Sequence, residues 1–138
     1  MENENEARVT GTFLRQTVLA LILAPVTWTI VAFLVGAFIA FTQRISTFIR
    51  PEDIDFYTAI MAGIFGVLAA RAACDRFCER YSHKAIFVMF AVLSLLAVAF
   101  ELFLVPAHWR PIAVYLQVVV VVITAYMAFW RRDQPDTQ

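Results

Sequence analysis

Glu101 is the residue best placed to do chemistry in this chain, because it stands in an otherwise apolar stretch, FAVLSLLAVAFELFLV, about one turn from its end. An ionisable group at that depth in a membrane costs about 2.5–3.5 kcal/mol or more unless it is paired or hydrated. Candidate partners are close by in depth. Gln117 lies at a comparable distance from the same surface, Tyr57 and Thr58 open the preceding apolar segment there, and His108 and Arg110 occupy the adjoining turn. Together these six residues could bind a proton, an ion or the polar group of a substrate in the outer half of a bundle. The competing reading makes Glu101 a packing residue, held by an interhelical hydrogen bond or a salt bridge to Arg110.

A second cluster is Cys74 and Cys78, spaced i, i+4 and followed by His83. A structural zinc site draws on four ligands at CxxC-type spacing, and only one histidine is near, so the pair reads as reduced thiols with no metal. The chain's two histidines, His83 and His108, fall at opposite ends of the apolar segments that separate them, which rules out a haem-type pair. There is no HExxH, phosphate loop, Ser/His/Asp arrangement, CxxC or carboxylate pair. These absences point away from an enzyme and away from a bound cofactor.

The elements that must position these residues are membrane helices. The 138 residues are 62% hydrophobic with a mean hydropathy of +0.74, far above the roughly 45–50% apolar usage of soluble domains. Eleven basic residues balance eleven acidic ones, so no basic field is available for nucleic acid. The pattern predicts an all-α polytopic membrane protein, one four-helix domain over 1–138, with spans of about 17–41, 56–73, 85–105 and 111–130. The first sixteen residues read as solvated and loosely ordered, Pro25 as a kink in helix 1, and Thr42 to Asp55 as an interfacial connection carrying Ile45, Phe48 and Ile49. Pro51-Glu52-Asp53 marks the start of helix 2. Nothing stops that helix at Ala73, so it is expected to continue to about Tyr81 and project into water. Ser82 reads as the N-cap of helix 3, Pro106 to Pro111 as a turn, and Pro111 as the start of helix 4.

Four spans place both termini on one side. That side carries Arg8, Arg15, Arg71, Arg76, Arg80, Lys84, Arg131 and Arg132, against Arg44, Arg50 and Arg110 opposite. The positive-inside rule therefore makes the termini and the middle loop cytoplasmic, in a cell membrane of the bacterial inner-membrane kind. Arg71, Arg76, Arg80 and Lys84 offer a cytoplasmic contact surface. Small residues supply packing grooves: Ala59, Gly63, Gly66 and Ala70 on helix 2, continuing to Ala73, Ala32 and Gly36 on helix 1, and Ala91, Ser94 and Ala97 on helix 3. Three grooves in four helices favour a homo-oligomer or a subunit of a larger membrane assembly. A small channel or transporter using Glu101 is the alternative. Val120, in the β-branched run of helix 4, is expected to meet lipid.

Overall fold

The computed structural model describes residues 2–45, 50, 53–109 and 111–131. Four helices account for most of them, and there is no strand among the described residues: α1 Glu2–Ile45, α2 Ile54–Phe77, α3 His83–Leu104 and α4 Ile112–Ala125. A 3₁₀ turn, Ala107–Trp109, joins α3 to α4, and α4 runs on into a π-helical turn, Tyr126–Trp130. Four helices are long and apolar enough to cross a membrane, over Arg8–Ile45, Ile54–Phe77, His83–Leu104 and Ile112–Trp130.

Local chemistry explains several boundaries. Ser82 is extended, and its Oγ accepts from the Ala85 N–H at 3.2 Å, so α3 starts where a hydroxyl can satisfy one of its orphan donors. Pro111 caps α4 with extended backbone, one residue ahead of the helix. Pro51, Phe48, Ile49, Arg110 and Arg132 lie outside the described residues. Two expectations are corrected. The segment before Thr17 is helical from Glu2, making α1 44 residues and roughly 66 Å long, and Pro25 sits inside it without ending it.

Helix α2, in turn, ends at Phe77 rather than near Tyr81. Cys78 turns extended at φ −119°, ψ 119°, and the chain folds back so that Cys78 and Tyr81 are buried instead of standing in water. The Thr17 hydroxyl of α1 accepts from the Ser82 N–H at 3.2 Å, tying the connection to α1.

α2 is the central helix, with α1 packed along one face and α4 along another; α3 packs on α4 and the π turn and only lightly on α1. Small residues make this possible. A Cβ built on Gly63 would stand 2.7 Å from Val120 Cγ1, and one built on Gly66 would stand 2.5 Å from Trp28 Cδ1, so α4 and α1 approach α2 where no side chain intervenes. Val120 therefore faces α2, and the expectation that it meets lipid is wrong. On α1, Gly36 lies opposite Thr58. Buried Ala59, Gly63, Gly66 and Ala70 close their groove within the monomer.

The continuous core gathers toward the α2–α3 connection: Ala20 and Ala24 of α1 meet Val67, Ala70 and Cys74 of α2, with Ile86, Phe90, Ala125 and Phe129 completing it. A hollow borders this core. It lies between α1, α3 and α4, has a volume of about 420 Å³ and is bounded by Pro25, Trp28, Ser94, Ala97, Gln117 and Val121.

Candidate functional site

Of the residues expected around Glu101, Tyr57 and Thr58 lie apart from Gln117. Gln117 faces the hollow with Ser94 and Ala97, while Tyr57 sits half exposed on the opposite side of the bundle, against α1 residues Val31, Val35 and Ile39. Thr58 packs against Gly36. The split follows from the packing order. α2 and α3 are neighbours in sequence but lie across the bundle from each other, so groups opening α2 are out of reach of the end of α3. His108 is exposed, and Arg110 lies outside the described residues. Glu101 itself is half-buried, with Oε2 enclosed and lacking a hydrogen-bond partner. Its neighbours along α3, Leu102 and Phe103, are exposed, Phe103 to 86%.

Side chains converge instead at the other end, where α2, the α2–α3 connection and the π turn meet. Arg71 anchors the group. Its Nε donates to Asp75 Oδ2 at 2.7 Å, its Nη1 donates to the Ala128 carbonyl at 3.2 Å, and its guanidinium lies 5.4 Å from the centre of the Phe129 ring. Tyr81 donates its hydroxyl to the second Asp75 oxygen, Oδ1, at 2.6 Å. Asp75 is thus clamped from both sides, by a cation one turn back along α2 and by a phenol from the connection. Burial, and then the bond to Asp75, push the Tyr81 phenol far above its ordinary value, so it stays a donor throughout the physiological range. Tyr81 also packs edge-on against the His83 ring, with centroids 4.6 Å apart.

The wider turn of a π segment alters the backbone pairing at the end of α4, and the Ala128 carbonyl in that segment is the one that accepts the Arg71 bond. Beside it, Lys84 Nζ lies 5.4 Å from the centre of the Trp130 ring, and Phe87 stacks edge-on with both Tyr126 and Trp130. α2, α3 and α4 are thereby fastened together at this end by side chains with polar tips and apolar bodies.

No family model, curated protein or solved structure matches this chain.

The expected contact surface of Arg71, Arg76, Arg80 and Lys84 is consequently divided. Arg71 is turned inward as the anchor just described, and Lys84 rests on Trp130; Arg76 and Arg80 remain open. The thiols are free and buried. Cys74 Sγ approaches the Ala20 carbonyl at 3.8 Å, and burial raises the Cys78 thiol above its ordinary value, which disfavours a reactive thiolate. Among the described residues no three metal-ligating side chains stand together. The sequence singles out neither Asp75 nor Tyr81 as a site residue, and Tyr81 enters only as the expected end of helix 2. The signal that could have marked them is composition: a tyrosine, an aspartate and an arginine within eleven residues at a membrane boundary have more polar atoms than one helix face can satisfy.

This end of the bundle also carries two hollows that share Phe13, Glu79 and Arg80. One, of about 570 Å³, lies between the first turns of α1 and the α2–α3 connection; the other, of about 560 Å³, reaches Asp75, Tyr81 and His83.

Proposed function

We propose that the chain is a non-catalytic four-span membrane protein, with both termini and the α2–α3 connection in the cytoplasm, that works as an oligomer or as a subunit of a larger membrane assembly. The observation that supports it best is the disposition of the polar side chains. At the α2–α3 end, Arg71, Asp75 and Tyr81 are engaged in holding helices together, and in the outer half Glu101, Gln117, Tyr57 and Thr58 face different spaces. Broad apolar faces on α1 and α3, with Phe33 75% and Leu95 70% exposed, suit lipid or a neighbouring helix. Native electrophoresis of gently solubilised membranes should show the protein in a species well above its 15.7 kDa monomer mass; a lone monomer under mild extraction would overturn the assembly reading.

The topology has its own test. Because Cys74 and Cys78 are buried, the probes belong at exposed positions, Arg76→Cys at one end and Arg44→Cys at the other. An impermeant maleimide should label the Arg44 variant in intact cells and the Arg76 variant only after the cytoplasmic face is opened. The reverse pattern would invert the bundle.

The transport alternative is favoured by one feature, the enclosed and unpartnered Glu101 Oε2. A buried acceptor without a donor costs on the order of 1–3 kcal/mol, a cost that a bound cation or proton would relieve. Proteoliposomes of purified protein are expected to show no proton or potassium flux above empty vesicles. Flux that falls at least tenfold in Glu101→Gln would replace the subunit reading with a transporter.

A further inference from the structure

The hollow between the start of α1 and the α2–α3 connection has the chemistry of a phosphate site at the membrane surface. Arg8 and Arg80 line it from opposite walls, with Glu79 as the one opposing charge, leaving a net positive cleft of about 570 Å³. Among the described residues neither guanidinium has an ion-pair or hydrogen-bond partner, in contrast to Arg71 next door, which has both. Gln16 and Thr12 add polar groups to the wall. The fourth feature is apolar. Phe13 forms part of the wall at 42% exposure, and Leu14, beside it on α1, is 63% exposed.

Depth decides between a lipid phosphate and a soluble one. Gln16 is the last residue before the apolar run that starts at Thr17, and Arg8 stands eight residues earlier, roughly 12 Å further out along the helix. The headgroup layer occupies about 5–7 Å beyond each edge of the hydrocarbon core. The cleft therefore spans the headgroup layer, with Gln16 and Phe13 at its inner edge and the Arg8 backbone roughly 5 Å beyond its outer one, a distance that an extended arginine side chain covers.

We propose that this cleft binds the phosphate of an anionic phospholipid, held between Arg8 and Arg80 with the acyl chains along Phe13. The proposal needs only that α1 crosses the bilayer from about Thr17; it is independent of which face the termini occupy and of any oligomer.

The test is calorimetric titration of the full chain, in neutral detergent, with dihexanoyl phosphatidylglycerol, dihexanoyl phosphatidylcholine and inorganic phosphate. The anionic lipid should bind saturably and at least tenfold more tightly than the zwitterionic one, and inorganic phosphate at equal concentration should leave its binding unchanged. Removing one basic residue near an anionic surface corresponds to a change of about fivefold, so Arg8→Gln and Arg80→Gln should each weaken binding about that much. Arg44→Gln, at the other end of the bundle, should not. Glu79→Gln should tighten binding, a gain that misfolding cannot produce. Equal affinity for the two lipids, full competition by inorganic phosphate, an equal loss in Arg44→Gln, or unchanged binding in both cleft variants would each overturn the proposal.

Discussion

Replacing Gly66 by leucine is expected to destabilise the bundle by about 3 kcal/mol or more, seen as a lower midpoint of SDS or thermal unfolding in micelles. The reason is the ring that faces it. Even a single Cβ on Gly66 would stand 2.5 Å from Trp28 Cδ1 and 2.9 Å from Trp28 Nε1, and an indole has no flexible end to move aside. α1 must then back away from α2, and with it go the contacts of Ala20 and Ala24 with Ala70 and Cys74. Gly63→Leu should act in the same direction on α4, where Val120 Cγ1 is the obstructing atom at 2.7 Å. Val119→Leu is the control, since that side chain is 52% exposed and should change the midpoint by no more than about 0.5 kcal/mol. Trp28→Ala combined with Gly66→Leu should recover part of the loss, because the two residues share one contact and their effects cannot add. Identical midpoints for Gly66→Leu and Val119→Leu would remove the close-approach account.

That experiment bears on how much of the molecule is readable from its residues. The four apolar segments are legible because each is long and apolar enough to cross a membrane, and Ser82 announces a cap through its own side-chain chemistry. Small residues at steps of three and four on α2 point correctly to close helix approach. They do not say which helix approaches, and so Val120 is assigned to lipid when it fills the space above Gly63. Periodicity describes one helix at a time. The order in which helices surround one another depends on how all four faces fit, and that order separates Tyr57 and Thr58 from Glu101 even though the three share a depth. The second failure has a different origin. A polar N-terminus and a charged helix end each read as solvated in isolation, because neither segment alone offers the other's surface. α1 packs beside the end of α2, where the Thr17 hydroxyl accepts from the Ser82 N–H and Cys78 and Tyr81 of the connection are buried.

Arg71→Gln is the other substitution with a large expected effect, a loss of about 2–3 kcal/mol read in the same unfolding assay. Three contacts are removed at once, and they are not of equal weight. The ion pair with Asp75 contributes least, because the Asp75 side chain is 45% exposed and solvent screens it. The bond from Nη1 to the Ala128 carbonyl contributes more, since it is charge-assisted, joins residues 57 apart in sequence and is partly buried. Contact with the Phe129 ring, itself fully buried, adds the attraction of a cation for an aromatic face. Arg71→Lys separates charge from geometry. An ammonium can still pair with Asp75, but it lacks the planar fork that reaches Asp75 and Ala128 together, so it should retain less than half of the stability that arginine provides. Tyr81→Phe should cost about 1–2 kcal/mol through the lost bond to Asp75 Oδ1. With Arg71 already replaced, the same change should cost measurably less, because Asp75 is then held from one side only and is free to turn to water. A double-mutant cycle with no coupling between Arg71 and Tyr81 would mean that Asp75 is a solvated surface carboxylate and that α2 and α4 are joined by apolar packing alone. A coupling of at least about 0.5 kcal/mol would make the carboxylate the shared point through which the α2–α3 connection and, by way of Arg71, the π turn are fixed to α2.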